Sequence, residues 1–366
     1  MDLNKFKDKN LVLSLTEAIR KKSKNLGLLR IMHVCGTHEN SIMRYALRDL
    51  LPNNIKLIAG PGCPVCVTSS RDIDAIINFG IKNKSKCIIA TFGDMLRVKG
   101  SQYSLFSASK AGLLNVKMVY GLDELIELAR NTKKEVIFFS VGFETTAAPV
   151  ASVIKNYNLP ENLSFFSVHK YTPNGVLELL KAGKINIDAL LLPGHACVIS
   201  GVSAYEKIAD NFKLPCVAAG FEPADILSAV LMIINQIEHK TSKAENEYKR
   251  VLKYEGNKLG QKTLNDVFGL TDSIWRGLGI IRKSGFDFNV KYNFLNAKAK
   301  FNIQFSNKYI EEQKGCRCAE VVLGVIEPTQ CPLYAKGLCT PYNPIGPCMV
   351  SDEGTCRNWW EVKGEI

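Results

Sequence analysis

Six times in the first two thirds of the chain, a short apolar run ends in a glycine-containing polar turn and a helix-like segment follows. The runs are residues 30–34, 56–59, 87–91, 136–141, 189–192 and 216–219. Runs of four to six apolar residues without alternation mark strands buried on both faces, the habit of parallel sheets. Helix candidates between them are 40–51, 123–133, 147–157, 175–181 and 202–212. The alternation predicts α/β layers with doubly wound sheets. In such sheets ligands sit beyond the carboxyl ends of the strands. Every unusual polar turn here falls at such an end, so residues from separate strands are expected to converge on one cleft.

The strands fall into two clusters, before and after about residue 115. The expected architecture is two doubly wound, Rossmann-like α/β domains, 1–115 and 116–240, followed by a C-terminal helical and loop-rich domain, 241–366. From about Glu222 a long helical region is expected to run to Phe268, with 226–238 amphipathic and 245–264 charged.

At 366 residues, 46% hydrophobic and 22% charged, the chain can build ordinary cores without covalent staples. The net charge of +12 comes largely from scattered lysines, with no arginine stripe interleaved with aromatics. It reads as solvated faces rather than a nucleic-acid footprint. The first ten residues are polar and charged, and no stretch approaches the roughly 18 apolar residues of a membrane helix. A cytoplasmic protein with no nucleic-acid or membrane partner is expected. In that compartment 12 cysteines point to metal binding or redox chemistry rather than a disulfide framework.

Three groups carry the chemistry. Gly60-Pro61-Gly62-Cys63-Pro64-Val65-Cys66 sets two thiols at C-x-x-C spacing on a Gly/Pro turn before a helix. Such a pair can form a disulfide, relay electrons or hold a soft metal, and aligned backbone N–H groups should favour the thiolate, most at Cys66. Cys35-Gly36-Thr37-His38 places a thiol and an imidazole three residues apart, which suits iron, zinc or copper, or a nucleophile with its base. The last 51 residues hold Cys316, Cys318, Cys331, Cys339, Cys348 and Cys356 with five prolines. Their wide spacing suits an iron–sulfur cluster wrapped by loops better than a zinc module. His195 and Cys197 could add ligands. Glu144, Glu222, Asp225 and Asp94 are strand-end acids that could also be helix caps. Cys87 and Cys216 lie in apolar runs and read as core. No G-x-x-x-x-G-K-[ST] loop is present.

Together, Met32-His33-Val34-Cys35-Gly36-Thr37-His38-Glu39, the Gly60–Cys66 turn, residues 91–100, 141–149, 193–201 and 219–227, and the cysteine-rich tail resemble the HypD family of [NiFe]-hydrogenase maturation proteins. The resemblance implies a scaffold for assembling the Fe(CN)2CO moiety of the hydrogenase active site, complexed with a HypC-type chaperone. It also implies docking of a HypE-type cyanide donor working with HypF. It implies that Cys35 binds the iron carrying cyanide and carbon monoxide, with His38 beside it. By the same resemblance Cys63 and Cys66 are the redox pair and Cys316, Cys331, Cys339 and Cys356 hold a [4Fe–4S] cluster, leaving Cys318 and Cys348 as an auxiliary pair. Glu222 is taken as a further catalytic candidate. Such a protein turns over once per cofactor built, so conventional enzyme activity is not expected. An iron–sulfur thiol–disulfide oxidoreductase is the alternative.

Overall fold

The six apolar runs become strands, and five more join them in a computed structural model that describes residues 3–363. In chain order they are β1 (Leu29–His33), β2 (Ile55–Ala59), β3 (Cys87–Thr91), β4 (Val116–Met118), β5 (Glu135–Ser140), β6 (Leu163–Ser167), β7 (Ala189–Pro193), β8 (Cys216–Ala219), β9 (Ala244–Asn246), β10 (Phe268–Trp275) and β11 (Gly279–Phe288). One sheet has the order β2-β1-β7-β8-β9 and a second the order β4-β3-β5-β6. Every pairing in both is parallel. An antiparallel hairpin, β10–β11, stands apart.

Both sheets are covered on two faces, as the unbroken apolar runs require. In β1, Ile31 packs with Val12 and Ile19 of the helix Lys9–Ser23 and with Ile226 and Val230 of the helix Pro223–Glu238, while its neighbour Met32 enters the opposite core. In β5, Phe138 faces Ala147 and Val150 of the helix Glu144–Asn156, and Phe139 faces Ile76 of the helix Ser70–Lys82. Leu190, Leu191 and Leu192 in β7 are fully buried. At roughly 1.5–3 kcal/mol each, these three side chains alone supply several kcal/mol of burial.

The doubly wound α/β class holds, but the strands are not shared out along the chain as 1–115 and 116–240. The chain leaves the first sheet after β2, builds the whole second sheet from β3 to β6, and returns to place β7 on the vacant side of β1. Apolar periodicity marks a strand; it does not say which neighbour completes its hydrogen bonds. The boundary at 240 also cuts the first sheet, because β9 pairs with β8.

The helical region expected to run to Phe268 is interrupted. Residues 244–246 form β9, and helix resumes only over Lys258–Val267, capped by Asn257. Gly256 breaks the run at φ +70°, in the left-handed region that glycine tolerates, and its backbone lies against Gly201. Among the described residues no helix is long and apolar enough to cross a membrane.

Candidate functional site

A parallel sheet opens a crevice where adjacent strands send their chains in opposite directions. In the first sheet that point lies between β1 and β7, and in the second between β3 and β5. The two crevices face each other across a cleft of about 350 Å³ lined by Pro64, Val65, Asp94, Gly142, His195 and Glu353, among others. The expected convergence of strand-end turns is therefore observed. One wall, Glu353, comes from the cysteine-rich tail.

Cys35 lies behind His195 at the first crevice, with its sulfur 3.8 Å from His195 Nδ1. It occupies the N-cap position of the helix Gly36–Arg44, where the backbone N–H groups of His38 and Thr37 favour its thiolate. Burial outweighs them: with the Glu353 charge adding to it, the thiol is pushed up to about 12. Burial thus favours the protonated thiol at Cys35, a preference that a bound cation would reverse. Burial holds the His195 imidazole below its ordinary value, against the pull of Glu353 and Glu144, so it stands neutral beside that proton.

His38 does not face the same way. Its Nε2 donates to the carbonyls of Gly220 (2.9 Å) and Ala219 (3.3 Å), and burial lowers the ring to about 3. It ties β1's turn to β8's. The imidazole within reach of Cys35 is His195, and Phe221 packs between the two rings, 5.1 Å from His38 and 5.2 Å from His195.

The residue after His38 is a buried hub. Glu39 is fully buried. Its Oε2 accepts from Arg48 at 2.7 Å and lies 2.6 Å from His33 Nε2; its Oε1 accepts from Trp359 Nε1 at 2.5 Å. Burial raises the carboxyl, but the Arg48 guanidinium and His33 overcome it and hold the group at about 2. Trp359 belongs to the helix Thr355–Lys363, which also carries Cys356. A second tie, Asn40 to Asn358 at 2.7 Å, runs parallel to it. The only signal in the sequence was an acid on a helix face otherwise due for burial.

The sulfurs of Cys63 and Cys66 are set against each other for a disulfide, with Cα atoms 5.3 Å apart. The helix expected to favour a thiolate at Cys66 starts farther along the chain than the spacing suggested. The next helix begins at Ser70, and the N–H of Cys66 points back to Cys63 Sγ at 3.1 Å. Pro64 and Val65, between the two sulfurs, line the cleft. Gly62 sets this turn directly on the Cys35 turn: its carbonyl accepts from Gly36 N at 3.1 Å, and a Cβ there would overlap the backbone of Val34 and Cys35.

The six tail cysteines line one cavity with Val321, Leu333 and Met349. Cys318 Sγ and Cys348 Sγ are 2.6 Å apart. Cys356 is pushed up by burial and then by Cys318, Cys339, Cys316 and Cys331 around it. So many thiols cannot ionise together without positive charge among them. Four thiolates in an apolar, loop-wrapped cavity are the donor set of an iron–sulfur cluster, and the residues present fit one. Among the described residues no three His, Cys, Asp or Glu side chains are arranged to hold a single metal ion.

The remaining candidates separate cleanly. Asp94 lines the cleft and is raised by burial. Glu144 is buried, accepts from Thr172 N and Oγ1 at 2.9 Å each, and is raised to about 7 by burial. Glu222 is not in the cleft; it caps the helix Pro223–Glu238 in a reciprocal box with Asp225, which in turn pairs with Arg250. Cys197, Cys87 and Cys216 are buried in the core.

Comparison with known proteins gives one answer over the whole chain. A family model, HypD, described as "Hydrogenase formation hypA family", matches residues 10–363. A putative hydrogenase expression/formation protein of Methanocaldococcus jannaschii is 39% identical over 97% of this chain and 98% of its own. The hydrogenase maturation factors HypD of Rhodobacter capsulatus and Escherichia coli are 38% and 37% identical, each over 99% of this chain and 98% of theirs.

Proposed function

The chain belongs to the HypD family of hydrogenase maturation factors, and we propose that it is the scaffold on which the Fe(CN)2CO moiety of a [NiFe]-hydrogenase is assembled. The observation that carries this reading is a buried thiol, Cys35, set 3.8 Å from a neutral imidazole at the crevice where two sheets face each other. Soft iron bound to cyanide and carbon monoxide is the cargo, and a thiolate suits it. His195 Nδ1 is positioned to take the Cys35 proton as the metal arrives. His38 fixes the turn through Ala219 and Gly220 rather than reaching for the cargo.

The Cys63–Cys66 disulfide gives the same cleft a two-electron store: its reduction takes two electrons and two protons and yields two thiols. Cys316, Cys331, Cys339 and Cys356 would hold a [4Fe–4S] cluster, which supplies one-electron chemistry when bound. Its neighbours Cys318 and Cys348 are a thiol pair through which that chemistry could reach the disulfide. A HypC-type chaperone would complete the coordination of the cargo, and a HypE-type donor served by HypF would bring cyanide to the cleft.

The test is anaerobic co-purification with the HypC-type partner, followed by infrared spectroscopy. The complex should show bands of bound cyanide and carbon monoxide, and Cys35→Ala should lose them. Full-intensity bands in that variant would remove Cys35 from the site. A complex without such bands, in which Cys63 and Cys66 still cycle, would favour the thiol–disulfide oxidoreductase instead.

A further inference from the structure

Arg276 stands at the end of β10 and is 5% exposed. Its backbone N–H donates to Val67 O at 2.8 Å, one residue past the Cys63–Cys66 disulfide. Its Nε donates to Glu311 O at 2.8 Å, and its Nη2 to Lys99 O at 2.6 Å and to Ser70 Oγ. These are neutral acceptors, and Nη1 has no partner at all. Among the described residues none of its side-chain hydrogen bonds goes to a carboxylate oxygen. A cation in a protein interior without a direct ion pair is costly, of the order of several kcal/mol. This one stands in the wall between two sulfur sites.

The far side of that wall is the cysteine cavity. Gly277, at φ +70°, lies so close to Ala319 that a Cβ would sit 2.5 Å from the alanine methyl. Ala319 follows Cys318. Burial pushes the Arg276 guanidinium down; Glu311, and then the thiols of Cys318, Cys316 and Cys348, pull it up. The influence is mutual, since Arg276 also favours the thiolate of Cys348. The buried positive charge therefore lies in the wall beside the cysteine cavity, one residue from the Gly277–Ala319 contact, while its backbone holds the disulfide turn.

We propose that Arg276 sets the reduction potential of the cluster in the cysteine cavity, as a fixed buried charge that stabilises the more negative, reduced state. The inference rests on the reading of that cavity as a cluster site. The half-reaction is addition of one electron to the cluster from a low-potential one-electron donor, with no bond made or broken. Arginine suits the task because it does not lose its proton in a protein, so the bias is constant with pH. Arg276 is a positioning residue in this sense: it acts on the cluster's energy and ligates nothing.

The experiment is an anaerobic redox titration of the full chain with dithionite, followed by visible bleaching and electron paramagnetic resonance. Arg276→Gln keeps a donor for Lys99 O but removes the charge. It should make the cluster about tenfold harder to reduce, a fall of ~59 mV for a one-electron couple. Arg276→Lys should fall by less than about threefold, because the charge remains. An unchanged potential in Arg276→Gln, or a lysine variant that falls as far as the glutamine one, overturns the inference. Should Arg276→Gln not fold, Glu311→Gln decides: removing the nearest opposing charge should raise the potential, and no rise overturns the proposal. A wild-type chain purified anaerobically without iron or visible absorption overturns the reading of the cavity instead, so the two failures are distinct.

Discussion

The Cys35 crevice and the six-cysteine cavity both gather sulfur, and they do it by opposite means. Cys35 is a single thiol held by regular structure: β1 ends behind it, a helix begins on it, and Gly62 presses a second strand-end turn against it. The tail cavity has almost no regular structure to hold it. Five of its cysteines come from turns and four- or five-residue helices, such as Cys318–Val322 and Pro347–Val350, and only Cys356 sits on a longer helix, Thr355–Lys363. Rigid strand ends suit a site that must present one atom to a cargo and to partner proteins. Loops suit a site that must wrap four ligands around an object. The comparison teaches that the crevice is framed by strand ends and a helix, whereas the tail cavity is framed mainly by turns and is tied to the rest through Trp359 and Asn358.

The largest effects should separate the two sites completely. Cys356→Ala should abolish the visible iron–sulfur absorption while thiol labelling of Cys35 under denaturation shows it intact. Cys35→Ala should abolish the cyanide and carbon monoxide bands and leave that absorption in place. If Cys35→Ala also bleaches the protein, the two regions are one site and the contrast is broken.

Next in size is the tie between them. Glu39 joins the Cys35 helix to the Cys356 helix through Trp359, and it is buried with Arg48 and His33. Glu39→Gln should cost roughly 3–5 kcal/mol, the usual result of stranding one side of a buried ion pair. Denaturant titration gives the loss, and Trp359 emission should shift to the red as its partner weakens. A loss below about 1 kcal/mol would mean the tail docks independently of this contact.

The crevice should then show an acid weakness that sharpens the distinction. Burial keeps His38 neutral with its proton affinity lowered to about 3. The unfolded chain binds that proton from about pH 6.5 downward. The stabilisation is complete above that value and is lost as the pH falls toward 3, with a slope of ~1.4 kcal/mol per pH unit while only the unfolded form is protonated. Glu39, held at about 2, adds a second loss below about pH 4.5. His38→Gln should flatten the upper part of the profile in urea melts at stepped pH. An unchanged slope there would assign it to His169, which burial likewise lowers to about 3 on the other sheet.

The smallest expected effect lies inside the cavity. Cys318→Ala and Cys348→Ala, singly, should leave visible absorption near wild type. Bleaching in these variants with retention in Cys331→Ala would exchange the ligand set for the auxiliary pair.

Much of this was legible without coordinates, for a specific reason. A parallel strand buried on both faces leaves a continuous apolar run, and the polar turn after it is conspicuous by contrast; β1, β2, β3, β5, β7 and β8 were found that way. The strands that were missed break that rule. β6 reads Leu163-Ser164-Phe165-Phe166-Ser167, with serines buried among its aromatics, and Ser167 Oγ is occupied by Phe286 O at 3.0 Å. β4 and β9 have three residues each, and β10–β11 is half exposed. His38 was paired with Cys35 because they are three residues apart, yet helical geometry turned its ring toward β8. Glu222 had the residue type of an active-site acid and the position of a helix cap, and the cap won.

The sequence by itself determined the α/β class, the strand ends that bear chemistry, the thiols and their three groups, because these follow from local patterning of apolar runs, turns and cysteine spacing. Only the tertiary structure decided that β7 rather than β3 lies beside β1, that His195 rather than His38 faces Cys35, that Glu39 bolts the tail to the crevice, and that Arg276 is buried between two sulfur sites. Each of these depends on contacts between residues far apart in the chain. Such contacts are selected by the packing of whole layers, and no local pattern encodes which distant side chain will fill a given space.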